Sequence, residues 1–149
     1  MSRYPLVPLG GFLTLRQEEV SVEPDRTYST AGIYSFGRGL FARTPFLGSE
    51  TKYRTLYRLR EGQFVCSRLK AFEGAVAVVD AASTGAFVSQ EYPTFDIHTD
   101  VAEPDFVGWL CRWPGFWEML AARSKGVGAR RERVHPEQLG NPCNENLYT

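Results

Sequence analysis

Cysteine, histidine and lysine are scarce in this chain, and each shortage excludes something. Its 149 residues include three cysteines, Cys66, Cys111 and Cys143, odd in number and widely spaced. They provide neither a disulfide framework nor a zinc-site spacing, and they suit a reducing compartment. With only His98 and His135 besides, neither a metal nor another cofactor is expected. No apolar run nears the roughly 20 residues that would span a membrane. The opening Met1-Ser2-Arg3-Tyr4-Pro5 also lacks the basic, apolar and small-residue order of a signal peptide. A cytoplasmic protein with no membrane contact is the expectation. Catalytic machinery is absent too: Ser89, His98 and Asp96 or Asp100 can be named together, but no nucleophile elbow surrounds the serine and no spacing puts a base beside it. The acids Asp96, Asp100, Glu103 and Asp105 lack a metal-loop signature. No enzyme is expected on this chain.

What is present is a folded core and a segregated charge. Hydrophobic residues make up 43% of the chain, and ten Phe, seven Tyr and three Trp argue for a globular protein. A chain of this length makes one domain, burying roughly two-thirds of its unfolded surface. The net charge is zero, yet residues 26–70 carry nine basic residues against two acids, residues 71–118 one against eight, and residues 119–133 five against one. All the basic residues but Lys52, Lys70 and Lys125 are arginine, whose planar fork suits phosphate oxygens and guanine edges. Basic and acidic segments could instead pair across the folded surface.

The organising stretch is residues 62–95. Phe64, Val65, Cys66 and Leu69 predict one strand, residues 75–79 a nearly wholly buried second, and residues 86–89 a third, with turns at Glu73-Gly74 and Ser83-Thr84-Gly85. Together they predict one sheet. Upstream, residues 6–16 fit either a short helix broken at Gly10-Gly11 or a strand, residues 17–25 read as a polar loop, and residues 27–36 as a strand with a break at Ala31-Gly32. Gly37-Arg38-Gly39 could cradle an anion through its amides, but a tight turn displaying arginine fits it better. Residues 52–60 alternate, with Tyr53, Thr55, Tyr57 and Leu59 on one face and a basic face opposite, interrupted by Leu56. Arginines at two-residue spacing lie roughly 7 Å apart, near the spacing of phosphates along a strand; the same row could simply protect a sheet edge.

Downstream, residues 96–105 read as an acidic loop. Pro104 and its flanking acids predict a helix start, with Phe106, Val107, Trp109, Leu110 and Trp113 at helical spacing until Pro114, and a second helix over residues 116–124. The three tryptophans are expected in the core. Residues 124–133 read as a helix C-cap at Gly126 followed by a flexible basic loop, where Ser124, Lys125, Arg130, Arg131 and Arg133 could hold phosphates or enter a groove. Residues 134–139 predict a short last helix, and residues 141–149 a polar tail without periodicity.

Several stretches, taken in order, resemble the target recognition domain of type I restriction-modification specificity subunits. They are Ser67-Arg68-Leu69, residues 74–79, and Val88-Ser89-Gln90-Glu91-Tyr92-Pro93-Thr94-Phe95, with Tyr28 to Ile33, Gly37 to Phe41, Lys52-Tyr53, Ser124-Lys125-Gly126 and Arg133-Val134-His135-Pro136-Glu137 around them. The resemblance implies an α/β (α+β) fold: a single target-recognition-type domain with a central twisted, mainly antiparallel sheet and a few short helices. It implies sequence-specific binding to half of a split double-stranded DNA target. Methylation and cleavage would then fall to partner modification (DNA methyltransferase) and restriction subunits. On charge and loop position, the DNA contacts implied are Arg38, Arg43, Lys52 and Arg54 on one side and Ser124, Lys125, Arg130, Arg131 and Arg133 on the other. Residues 1–139 would form the recognition domain and 140–149 the tail. No counterpart of the family's spacer helix and second recognition domain is expected, since Leu139 runs into Gly140-Asn141-Pro142-Cys143. A half-subunit, alone or as a homodimer, is therefore expected. The alternatives are a remnant or protein-interaction module whose arginines pair with the acids between Glu91 and Glu118, and an RNA binder using Tyr53 and Tyr57.

Overall fold

Three consecutive residues, Phe64, Val65 and Cys66, are completely buried. Successive side chains of a strand point to opposite faces, so a strand with no exposed residue needs cover on both. The computed structural model, which describes residues 11–122 and the paired strands at 6–8 and 146–148, supplies a different cover on each side. In chain order the strands are β1 (Leu6–Pro8), β2 (Leu13–Leu15), β3 (Glu18–Ser21), β4 (Thr27–Tyr28), β5 (Ala31–Ile33), β6 (Leu40–Ala42) and β7 (Phe46–Leu47). There follow β8 (Thr55–Arg58), β9 (Phe64–Cys66), β10 (Val76–Val78), β11 (Phe87–Val88), β12 (Thr94–Ile97), helices α1 (Pro104–Cys111) and α2 (Pro114–Ala122), and finally β13 (Asn146–Tyr148).

The central sheet has the order β10-β9-β12-β2, antiparallel throughout. On one face, Phe64, Cys66, Phe95 and Ile97 pack against Val107, Leu110 and Cys111 of α1 and Phe116 and Leu120 of α2. On the other face Val65, Ala77 and Ala75 meet Ile33, Leu59 and Val88. That second layer belongs to β5-β6 and to a three-stranded sheet, β11-β8-β3. A smaller cluster of Tyr28, Leu56 and Phe87 lies beyond it, with Val20, Val22 and Phe46 around it. Each fully buried Phe or Leu contributes on the order of 1.5–3 kcal/mol relative to exposure, so these clusters dominate stability.

The expected strands over residues 64–66 and 75–79 are present as antiparallel neighbours, and Gly74 and Gly85 make the expected turns with φ of +84° and +85°. The third expected strand is not their neighbour. A one-turn helix at Ala81–Ser83, capped by the Asp80 carboxylate accepting from the Ser83 N–H at 2.9 Å, carries the chain across, so β11 pairs with β8. The place beside β9 is taken by β12, from a stretch half of which read as an acidic loop. Leu69 falls in an exposed turn and not in β9. Within residues 6–16, Leu6–Pro8 and Leu13–Leu15 are strands, and the stretch read as a polar loop contains β3. The strand over 27–36 breaks earlier than expected, at Ser29-Thr30, because β4 pairs with β7 and β5 with β6. Pro104 starts α1 as expected, while Pro114 starts α2 as well as ending α1. The tail read as aperiodic includes β13, in register with β1. The loop and helix expected over 124–139 lie outside the described residues.

Gly74 shows how closely helix and sheet approach. A Cβ there would lie 2.5 Å from the Trp117 ring, which is fixed by its indole N–H donating to the Cys111 carbonyl at 2.7 Å. Gly74→Ala should therefore lose about 2–3 kcal/mol, from overpacking and an unfavourable positive φ together. Urea unfolding should show this as a lower midpoint at unchanged slope.

Candidate nucleic-acid interface

The fold sorts the basic residues by what lies beside them. Arg16 is paired with Asp96, Nε to Oδ2 at 2.9 Å. Arg58 and Arg60 are both ion-paired to Glu18 across the β3–β8 pairing, with Arg58 Nε 3.8 Å away. Arg58 also lies over the Phe87 ring at 5.4 Å, and Leu56 between the arginines is buried. The arginine row expected along residues 52–60 is therefore not a free basic face. Only Thr55–Arg58 is strand, and its arginine end is neutralised by a partner some 40 residues away in sequence.

Arg38 and Arg43 have other surroundings. The hairpin of β5 and β6 pairs Gly32 with Phe41, and the missing side chain lets the Phe41 ring lie across the strand, where a Cβ would be 2.4 Å from it. That brings Phe41 against Tyr34, with ring centroids 4.4 Å apart. Arg38 stacks on Tyr34 at 4.8 Å and donates through Nε to the Ser35 carbonyl at 2.9 Å. Arg43 stacks on Phe41 at 5.0 Å and reaches the Tyr92 hydroxyl at 3.4 Å. The result is an alternating row of guanidinium and aromatic groups, with neither arginine in an ion pair among the described residues. A guanidinium held on a ring keeps most of its donor fork available.

Three adjoining clefts extend this row. One of about 310 Å³ is lined by Tyr34, Arg38, Phe41, Arg43, Lys70 and Tyr92, among others. Arg43 and Tyr92 also line a second of about 350 Å³, which reaches Tyr53. Tyr53 in turn lines a third of about 290 Å³ together with Lys52, Arg54 and Gln90. No acidic residue lines any of the three. Arg38, Arg43, Lys52 and Arg54, named from charge and loop position, thus fall along one run of clefts. Lys70, Tyr34, Phe41 and Tyr92, none of them named as a contact from the sequence, join them once the hairpin is placed. Ser124, Lys125, Arg130, Arg131 and Arg133 lie outside the described residues.

Other expectations resolve differently. In the Gly37 turn two amides are already engaged: the Phe36 N–H donates to the Glu73 carbonyl at 2.7 Å and the Gly37 N–H to that of Gly74 at 2.9 Å. Trp117 packs against the core, but Trp109 and Trp113 are 53% and 42% exposed and stack on each other 6.0 Å apart. Helix α1 has two apolar stripes, and Val107, Leu110 and Cys111 take the buried one. Ser89, His98 and Asp96 are engaged separately: the Ser89 hydroxyl accepts from the Glu91 N–H, His98 bonds Thr14, and Asp96 meets Arg16 and Gln63. Burial pushes the Cys66 thiol up to about 12 and the Cys111 thiol up as well, so neither is a ready nucleophile. Among the described residues no metal-holding group of His, Cys, Asp and Glu occurs, and no helix is long and apolar enough to cross a membrane.

No protein-family model matches the sequence, and no curated protein matches it. Solved structures do match. The HsdS subunit from Thermoanaerobacter tengcongensis superposes with a TM-score of 0.72 at 21% identity, over 93% of this chain and 36% of that one. A chain from the structure describing complex assembly and conformational transition of the type I R-M system superposes with a TM-score of 0.73 at 22% identity, over 95% of this chain and 38% of that one. The chain has the fold of the HsdS target recognition domain. It spans little more than a third of the length of the chains it matches. In this HsdS-type fold Tyr34, Phe41 and Arg43 lie beside the Ile33 and Leu40 packing of the second layer, while Arg38 also lines a cleft with Pro104, Asp105 and Arg112 at α1.

The Glu18 pairs carry a pH signature. The hydrogen bond from Arg60 and the charges of Arg60 and Arg58 hold the Glu18 carboxyl below its ordinary value of 4.5. A carboxylate with a depressed folded pKa adds stability above its unfolded pKa and loses it as the pH falls through the folded one. Glu18→Gln should melt below the parent protein at neutral pH. In melts at successive pH values the gap should close from about pH 4.5 downward.

Proposed function

We propose that this chain reads one half of a split duplex DNA target as a specificity module of a type I restriction-modification system, residues 1–139 forming the recognition domain. Methylation and cleavage would belong to partner modification and restriction subunits, and the module itself would carry no catalytic group. One observation supports DNA above the other partners. Arg38, Arg43, Lys52, Arg54 and Lys70 line one run of clefts without an acid among them, interleaved with aromatic rings. Such a surface fits a polyanion with flat apolar groups. The matched fold, that of the HsdS subunit, supports the type I setting. Ser124, Lys125, Arg130, Arg131 and Arg133 are proposed as a second set of contacts on their charge. Because a split target has two halves, a second module is required, from a longer chain or a second copy.

The reading of a protein-binding remnant requires the arginines to be neutralised by the acids between Glu91 and Glu118. Arg16 with Asp96 fits that pattern, whereas Arg38 and Arg43 rest on the Tyr34 and Phe41 rings. The test is selection from a randomised duplex pool, followed by salt titration of the best duplex, a scrambled duplex and a single-stranded RNA. Four or five cations on phosphates should give a slope of log affinity against log salt of about −4 to −5. Arg43→Ala should reduce the slope by about 0.9, whereas Arg60→Ala should leave it unchanged. Weak binding equal on both duplexes, or tighter binding to the RNA, would overturn the reading.

A further inference from the structure

Phe36 is held in place at a steric cost. Among the described residues it is the one non-glycine with a positive φ, +65°, and at 60% it is the most exposed of the large hydrophobic side chains. In that left-handed conformation the Cβ crowds the backbone carbonyl, which glycine would avoid. The turn is nonetheless fixed. The Phe36 and Gly37 N–H groups donate to the Glu73 and Gly74 carbonyls, and Tyr34 closes the loop with its N–H on the Gly39 carbonyl at 2.9 Å. Burial does not account for the ring. It only leans toward Trp117, with centroids 6.0 Å apart at a 59° tilt, and leaves most of its surface in solvent.

The ring stands at the end of the arginine–aromatic row. The Arg38 guanidinium lies between the two aromatics, 6.0 Å from the Phe36 ring and 4.8 Å from Tyr34, and Lys70 lines the same cleft as Arg38. A rigidly presented apolar ring with the Arg38 guanidinium beside it matches one geometry of nucleic-acid recognition: an apolar wedge enters a base step while a cation holds the adjacent phosphate. We infer that Phe36 inserts between stacked base pairs of duplex DNA, with Arg38 on the phosphate beside the opened step. This rests on the DNA-reading function above and adds to it a means of choosing sequence. A wedge favours steps that unstack at low cost, chiefly pyrimidine–purine steps, without any hydrogen bond to a base edge.

The test uses the full chain and the best duplex from the randomised pool, with 2-aminopurine replacing each adenine in turn. Binding of the parent protein should raise the fluorescence at one step. Phe36→Gly removes the ring and relieves the backbone, so it should melt at the same temperature or higher. It should bind about tenfold more weakly, lose the fluorescence rise, and keep the salt slope, since no phosphate contact is removed. Phe36→Trp should retain the rise. If the parent binds the duplex with no rise at any position, or if Phe36→Gly binds with the parent's affinity and rise, the wedge is overturned and DNA reading stands. A markedly lower melting temperature for Phe36→Gly would overturn it by marking the ring as structural. Failure of the parent to bind any duplex would remove both readings.

Discussion

The burial of β9 on both faces is the constraint from which the rest of the architecture follows. Phe64 and Cys66 face one way and Val65 the other, and none of the three keeps any exposure. Two short helices can cover only one side. They follow each other directly in the chain, with Pro114 starting the second a few residues after the first ends. The opposite face is closed by a second layer of strands, drawn close by the small side chains Ala75 and Ala77. This layering places the hairpin of β5 and β6. Its inward residues Ile33 and Leu40 complete the second cluster, while the adjacent Tyr34 and Phe41 form the stacked pair that carries the arginines.

Charge counts alone do not identify an interface, because an arginine's neighbours decide what it can do. Glu18 faces Arg58 across the β3–β8 register and also reaches Arg60, so two cations that alternate suggestively in the chain are already satisfied. A partner would have to compete with that carboxylate for them. Arg38 and Arg43 rest on rings instead. The ring limits their rotamers without neutralising the charge, so less side-chain entropy remains to be lost when a phosphate is bound.

What was legible in the sequence was local. The two central strands, the glycine turns at 74 and 85 and the proline-initiated α1 follow from patterns within a few residues, and they hold. What was not legible depended on partners far along the chain. Glu18-Glu19-Val20-Ser21 is polar enough to read as a loop and is a strand because residues 55–58 supply its ladder and Arg58 and Arg60 the counter-charges of Glu18. β12 contains Asp96 and was read partly as loop, yet Asp96 faces Arg16 and Gln63 on neighbouring segments. Helical spacing revealed that α1 is apolar but not which of its stripes meets the sheet, so two tryptophans placed in the core are at the surface. In the candidate site Arg38, Arg43, Lys52 and Arg54 were legible from charge and loop position. Tyr34, Phe41, Tyr92 and Lys70 were not, since they converge on those residues only in the folded chain.

The division of labour along that hairpin also separates the fold from what it reads. Ile33 and Leu40 pack inward, whereas Tyr34, Arg38 and Arg43 face outward, on or beside the same short strands. Substitutions among the outward group change charge, reach and stacking while removing little buried apolar area, and surface changes of this kind usually have small effects on stability. Substitutions among the inward group leave cavities in a cluster that contains Val65. A recognition surface built in this way can change its preference without changing its scaffold. Phe36 is the exception, because its strained backbone is tied by hydrogen bonds to the turn at Glu73-Gly74, and that turn is in contact with Trp117 of α2. The most exposed ring of the surface is therefore the one most firmly referenced to the core.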